Sequence, residues 1–221
     1  MATYLVTGAN RGIGLEYCRQ LHQRGETVIG ACRFSSEELD AVGVKILTDV
    51  DITDDDSVAQ LVQQLAGITL DVLINNAGIL ERVGLDNLDF ASIRQQFEVN
   101  ALGPLRLTRA LLPLINSGGK VIIMTSRMGS IADNTSGGSY GYRMSKAAVS
   151  MAGKSLSHDL KSQKIAVAIL HPGLVSTRMT GFTQNGITPE EAVEGLLARI
   201  DGLTLENTGT FWHSNGEVLP W

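Results

Sequence analysis

Two residues four apart, Tyr142 and Lys146 in the run Tyr142-Arg143-Met144-Ser145-Lys146, are the first candidates for chemistry in this chain of 221 residues. Positions i and i+4 share one face of an α-helix, so the spacing sets an ammonium beside a phenol. An unperturbed tyrosine, with a pKa near ~10, is too weak an acid or base for catalysis at neutral pH. A nearby positive charge favours the phenolate and tunes the group. The same spacing also describes an ordinary surface pair, and Tyr-x-x-x-Lys recurs by chance. Tyr140 is a decoy, because the residue four positions on is Met144 and carries no charge.

A second constellation lies near the start. An apolar run, Thr3–Val6, leads into Thr7-Gly8-Ala9-Asn10-Arg11-Gly12-Ile13-Gly14 just before a helical stretch. Glycines in such a turn let a phosphate approach the backbone, and the helix N-terminus supplies unpaired N–H groups and partial positive charge. The spacing is Gly-x-x-x-Gly-x-Gly rather than Gly-x-Gly-x-x-Gly.

The elements that must position these residues alternate. Strands are predicted at Thr3–Val6, Thr27–Cys32, Val44–Thr48, Asp71–Ile74, Lys120–Thr125, Ile165–Leu170 and Gly209–His213. Helices are predicted over about Gly12–Arg24, from a Thr53 N-cap with Asp54, Asp55 and Asp56 in the first turn, over Asp89–Leu114, over about Gly141–Leu160, and from the Thr188-Pro189-Glu190-Glu191 capping box. Strands that are continuous apolar runs are buried on both faces. Their alternation with helices predicts right-handed crossovers and one α/β domain: a Rossmann-type, doubly wound parallel sheet of about seven strands with helices on both faces. Ligands of such sheets bind beyond the carboxyl ends of the strands, and every candidate residue falls at such an end or on the helix starting there.

Composition narrows the partners. With 19% charged residues, 43% apolar residues and a net charge of −5, the chain has the balance of a soluble globular domain and no basic stripe for nucleic acid or an anionic membrane. Cys18 and Cys32 match no metal-ligand spacing and read as two reduced, buried thiols. Gly, Asn and Arg interrupt the first dozen residues, no apolar run approaches ~18 residues, and a cytoplasmic location is the expectation.

Thr7-Gly-x-x-x-Gly-Ile-Gly14, Asn75-Asn76-Ala77-Gly78, Tyr142-x-x-x-Lys146 and Pro172-Gly173-x-Val175-x-Thr177 together resemble the short-chain dehydrogenase/reductase family. They stand in the family's order over about four fifths of the chain. The stretch from Ser126 to Lys146 is similar to small C-factor-like and sniffer-like carbonyl reductases. The resemblance implies a nicotinamide cofactor held by Gly8, Asn10, Arg11, Gly12, Ile13 and Gly14 at its diphosphate, and by Asp51-Ile52 at its adenine, with Asp49-Val50 as a competing register. It places the backbone of Asn75, Asn76, Ala77 and Gly78 beside the adenine ribose, although the first asparagine, Asn75, can equally tie the central strand to its neighbour. Pro172, Gly173, Val175 and Thr177 would pass the nicotinamide. The second strand ends at Cys32-Arg33 with no carboxylate for a ribose 2′-hydroxyl, so Arg33, helped by Arg11, points to NADP(H) in preference to NAD(H).

The same resemblance implies a catalytic set of Asn100, Ser126, Tyr142 and Lys146 acting on a small-molecule carbonyl or alcohol. Tyr142 would be the proton donor and Ser126 the second hydrogen-bond partner of the carbonyl oxygen. Lys146 would lower the tyrosine pKa and bond the nicotinamide ribose, and Asn100 would hold a proton-carrying water. As an alternative, a mid-helix asparagine can bond a nearby backbone group. The Ser126–Tyr142 interval is longer than is usual in the family, and Asn134–Ser139 is expected to bulge over the pocket. The substrate loop, about 176–187, is short, which predicts an open site. His171, ahead of Pro172-Gly173, reads as structural. By resemblance, the helices carrying Asn100 and Tyr142 would pair subunits into a homodimer or homotetramer. A C-factor-like signalling or dinucleotide-sensing role is the competing reading of the same fold.

Overall fold

A computed structural model describes all residues, Met1–Trp221. Seven parallel strands form one sheet in the order β3-β2-β1-β4-β5-β6-β7. They are β1 (Thr3–Thr7), β2 (Thr27–Ala31), β3 (Lys45–Leu47), β4 (Leu70–Asn75), β5 (Ile115–Met124), β6 (Ala166–His171) and β7 (Phe211–His213). The helices are α1 (Gly12–Gln23), α2 (Glu37–Asp40), α3 (Asp55–Gln64), α4 (Phe90–Phe97), α5 (Gly103–Leu111), α6 (Tyr140–Asp159) and α7 (Pro189–Asp201). The strand order reverses between β1 and β4, which places a crevice at their carboxyl ends.

Successive strand residues point to opposite faces, and each face meets its own layer. Leu5, Leu73, Ile123 and Ile169 pack with Leu61 of α3, Leu107 of α5 and Val149 of α6. Tyr4, Val6, Ile74 and Ile122 pack with Leu21 of α1 and Leu196 of α7 on the other side. The doubly wound sheet expected from the apolar runs is therefore the observed fold.

Besides β5, which begins at Ile115 rather than Lys120, three elements differ from the sequence pattern. The helix predicted over Asp89–Leu114 is interrupted by a π-helical turn, Glu98–Leu102, with Asn100 at its centre and Gly103-Pro104 opening α5. A side chain on Gly103 would meet Ile52 Cδ1 at 2.8 Å, so this stretch of helix packs directly on the chain following β3. The cap of α3 is Asp54 rather than Thr53: Asp54 accepts from Ser57 N at 2.7 Å, while Thr53 is turned back onto Asp51. The short α2, capped by Ser36, follows β2 without a sequence signal long enough to have been read as a helix. Cys18 and Cys32 are both buried and free. No helix is long and apolar enough to cross a membrane.

Candidate active site

The glycine turn leaves its main chain free of side chains of its own at Gly8, Gly12 and Gly14. Gly8 and Gly12 take φ of +65° and +55°, a region that disfavours side chains. A Cβ on Gly14 would run into the Gly8 carbonyl oxygen, which fixes the start of α1 hard against the turn. Asn76 locks this turn to β4, its Nδ2 donating to Thr7 O at 2.9 Å. Thr7 Oγ1 accepts from the Asn76 and Ala77 N–H groups, each at 3.0 Å. Thr7 is thus a structural partner of the turn that sequence reasoning passed over. Asn75 ties β4 instead to α5, through Thr108 Oγ1 at 3.1 Å.

The N-terminus of α1 carries no side-chain cap, a feature it shares with α5 and α6 but not with the remaining helices. Ser36, Asp54, Asp89 and Thr188 cap α2, α3, α4 and α7 with side-chain oxygens, whereas Arg11, at the cap of α1, supplies no such bond. The first N–H groups of α1 therefore remain available to an anion, in line with the helix dipole. Arg11 and Arg33 are exposed, and neither is in an ion pair. Across the turn, Thr177 Cγ2 stands 3.5 Å from where a Gly12 side chain would begin. These features fit a phosphate-bearing ligand lying along the crevice.

Asp51 and Ile52, in the chain that follows β3, differ in their surroundings. Burial pushes the Asp51 carboxyl up, but hydrogen bonds from the Thr53 side chain and backbone, with the charges of Arg33 and Arg106, outweigh it and leave the group below its ordinary value. Asp51 Oδ1 accepts from Thr53 N at 2.9 Å and Thr53 Oγ1 at 2.7 Å. Ile52 is buried against Gly103. In the competing register, Asp49 is an exposed residue at a left-handed φ of +59°.

Pro172-Gly173 ends β6, and Gly173 has φ of +90° with the His213 ring 3.2 Å from its would-be Cβ. Val175 is buried and pairs with Ile187, whose N–H donates to Leu174 O at 2.9 Å. Thr180 Oγ1 donates to Val175 O at 2.6 Å, so with the Ile187 contacts the loop of about 176–187 is pinned at both ends. His171 meets His213 edge-on with ring centroids 4.9 Å apart. Burial, then the charges of His213, Arg127 and Lys146, push it down to about 3, so it is a neutral, structural histidine.

Tyr142, Lys146 and Ser126 come together at the ends of β5 and α6, all nearly inaccessible. Lys146 Nζ donates to Met124 O at 2.9 Å and lies 5.7 Å from the Tyr142 ring centroid. Thr125 Oγ1 donates to Lys146 O at 3.0 Å and clamps the helix to the strand. Ser126 leaves β5 in extended conformation and caps the short turn Arg127–Gly129. That turn is pressed on α6, since a Cβ on Gly129 would stand 2.7 Å from the Lys146 carbonyl carbon. Tyr140, by contrast, is partly exposed at the first position of α6.

The electrostatics correct one expectation. Burial pushes the Tyr142 phenol up to about 12, and the group working against that is Ser126 through a hydrogen bond, not Lys146. Burial also brings Lys146 down to about 8. The lysine ammonium is aimed at a carbonyl and near the ring rather than at the phenol oxygen, so its charge does little to the phenol in this geometry.

Asn100 likewise takes the backbone-bonding alternative. Its Oδ1 accepts from Ile79 N at 2.8 Å, and its Nδ2 donates to Ile79 O at 2.9 Å and to Ser145 Oγ at 3.0 Å. Ser145 in turn donates to Tyr142 O at 2.9 Å. The side chain thus stitches the chain after β4 to the first turn of α6, and both N–H donors of its amide are taken by protein partners. The π turn that carries it is a helix irregularity of the kind concentrated at functional sites. A side chain on Gly78 would be 3.1 Å from Asn100 Oδ1 and 3.5 Å from Lys146 Nζ, so these groups surround one small volume. Ser145 was not legible as a site residue, because a serine within a helix carries no distinctive spacing.

The chain matches the model of short chain dehydrogenases over residues 2–187. It is 46% identical over 226 aligned positions, all of both chains, to 1-hydroxy-2-glutathionyl-2-methyl-3-butene dehydrogenase of Rhodococcus sp. (strain AD45). It is also 46% identical over 155 residues to C-signal of Myxococcus xanthus, covering 69% of this chain and 93% of that one. An NADPH-bound carbonyl reductase from chicken fatty liver superposes with a TM-score of 0.90 at 29% identity, over 100% of this chain and 99% of the other.

Proposed function

The chain belongs to the short-chain dehydrogenase family, and from that premise we propose that it interconverts a carbonyl and an alcohol by hydride transfer with NADP(H). One observation carries the reading: Ser126, Tyr142 and Lys146 are buried together beyond the sheet, at the end of a crevice whose opposite side is an uncapped helix N-terminus. A binding module needs the second feature and has no use for the first.

The nicotinamide supplies the hydride, and negative charge that develops on the carbonyl oxygen needs a proton and hydrogen-bond donors. Tyr142, protonated across the neutral range, gives that proton in reduction. Ser126 holds the same oxygen. In this reading Lys146 bonds the nicotinamide ribose, and Asn100 positions the first turn of α6 through Ser145. Gly8, Asn10, Gly12, Ile13 and Gly14 hold the diphosphate, with Asp51 and Ile52 at the adenine. Asn76, Ala77 and Gly78 line the ribose, and Pro172, Gly173, Val175 and Thr177 the nicotinamide. Arg33 and Arg11, both exposed and outside any ion pair, are suited to a 2′-phosphate. The likeness to an NADPH-bound reductase supports the same assignment. Exposed Leu102 and Leu105 at α5 and Met151 on α6 support pairing into a homodimer or homotetramer.

The test is NADPH oxidation with a panel of aldehydes and ketones, and NADP⁺ reduction with alcohols that include a 1-hydroxy-2-glutathionyl compound, the substrate type named for the full-length relative. Tyr142→Phe should lose activity in both directions, and equal rates for variant and wild type would remove Tyr142 as the acid. The C-signal likeness favours a second reading, a signalling role with little or no turnover. Dinucleotide binding with no turnover of any carbonyl or alcohol would select it.

A further inference from the structure

Arg127 directly follows Ser126, and its guanidinium joins two parts of the chain remote in sequence. Its Nη2 donates to Glu217 Oε2 at 3.0 Å, and its Nε lies 3.0 Å from Asp133 Oδ2, off the N–H direction, so that second contact is one of charge. Asp133 belongs to the loop between β5 and α6, and Glu217 to the C-terminal segment. The loop and the segment meet again where Ala132 N donates to Trp221 O at 2.9 Å.

The C-terminal segment is itself fixed. It turns at Gly216, with φ of +99°, and runs back antiparallel along β7, with Trp212 opposite Val218. His213 N donates to Glu217 O and Leu219 N to Phe211 O, each at 2.8 Å. Trp221 stacks on Phe211 with centroids 5.4 Å apart and planes at 29°. On the α6 side, Arg143 grips the same loop, donating to Met128 O, Gly137 O and Gly138 O at 3.2 Å and to Ser136 Oγ at 2.9 Å. Ile131, Val218 and Trp221 are left with apolar surface at 82%, 64% and 47% exposure.

We propose that Arg127 is a positioning residue which, through Glu217 and Asp133, makes the C-terminal segment 214–221 an apolar wall of the carbonyl site beside Ser126. The proposal rests on the reading of Ser126 as the partner of the carbonyl oxygen. Arg127 and Glu217 are partly exposed, and ion pairs of that kind add little to stability. What the network sets is geometry: the Arg127–Gly129 turn is wedged on the Lys146 main chain and stays fixed beside Ser126, while the Arg127 side chain reaches out to hold the segment.

The experiment measures steady-state kinetics of the full chain with NADPH and a carbonyl that the wild type reduces. Binding of NADPH and thermal melting are followed alongside, for Arg127→Met, Arg127→Lys, Glu217→Gln and Trp221→Ala. Arg127→Met and Glu217→Gln should each raise KM for the carbonyl by roughly five- to tenfold, with kcat and NADPH affinity nearly unchanged, because a displaced wall loses contacts made alike with the bound carbonyl and its transition state. Arg127→Lys should recover part of the loss, because charge holds Asp133. Adding Glu217→Gln to Arg127→Met should worsen nothing further. Trp221→Ala should raise KM most for carbonyls with a bulky apolar substituent. Wild-type KM in both Arg127→Met and Glu217→Gln overturns the proposal, as does a parallel fall in NADPH affinity and melting temperature. Should Arg127→Met fail to fold, Glu217→Gln and Trp221→Ala decide by the same KM readout. No turnover by the wild type overturns the reading of Ser126 and this proposal together; turnover with unshifted variants overturns this proposal alone.

Discussion

The ammonium of Lys146 donates to the Met124 carbonyl at 2.9 Å and stands 5.7 Å from the centroid of the Tyr142 ring, so helix spacing brings the two together without aiming one at the other. Burial then acts on both in opposite senses, taking the phenol up to about 12 and the ammonium down to about 8. The consequences can be measured.

Reduction needs the protonated phenol and oxidation the phenolate. With Tyr142 at about 12, the acid form dominates from pH 6 to 9. In pH profiles of kcat/KM, carbonyl reduction should show no titration of Tyr142 over that range, so any step near pH 8 belongs to Lys146. Alcohol oxidation should rise by up to about tenfold per pH unit, as the base fraction does below its pKa. A flat oxidation profile would mean that another group takes the proton.

Lys146 is brought from an ordinary 10.5 to about 8 by burial alone. Between these values the unfolded chain binds the proton that the folded chain has lost, so this residue's contribution to stability rises with pH through that window and is unfavourable below it. Lys146→Met removes the term. Its melting temperature relative to wild type should therefore be highest near pH 7 and decline toward pH 10.5, the full span being roughly 3 kcal/mol. Comparing the two proteins at each pH cancels the titration of Tyr142 and the buried thiols. A gap independent of pH would show that Lys146 is not desolvated.

Arg33 is exposed and outside any ion pair, so its removal should leave the fold intact. Arg33→Ala should weaken NADPH binding by about tenfold or more and leave NADH nearly unchanged, because a charge-assisted phosphate contact is worth roughly 1.5–3 kcal/mol. Titration of both dinucleotides by fluorescence checks it; equal losses would remove Arg33 from the 2′-phosphate site.

A methyl group at Gly14 would collide with the Gly8 carbonyl, while one at Gly202, the C-cap of α7 with φ of −80°, finds its nearest neighbour at 3.5 Å. Gly14→Ala should destabilise the fold by about 1–3 kcal/mol and impair dinucleotide binding. Gly202→Ala should be neutral or stabilising by up to about 1 kcal/mol. Denaturant melts of both variants give the comparison, and equal melts would mean that the turn yields to the added carbon.

The sequence determined the sheet and its ligand end. Apolar runs such as Val28–Ala31 and Ile122–Met124 are strands buried on both faces, and alternation with helices leaves one handed way to wind them. The glycine turn and the Tyr142–Lys146 pair were legible because backbone strain and helix periodicity are local properties, written in adjacent residues, whereas Ser126 was named only through its resemblance to a family motif. Other features depend on residues far apart in the chain. The π turn at Glu98–Leu102 exists where Asn100 can bond Ile79 and Ser145, and neither partner is implied by the run Glu98-Val99-Asn100. Only the packed structure could decide that Asn100 bonds backbone, that the Lys146 ammonium turns to Met124, and that desolvation outweighs its charge at Tyr142. Direction and burial at a site come from surrounding layers of atoms, whereas spacing along a chain says only which residues can meet.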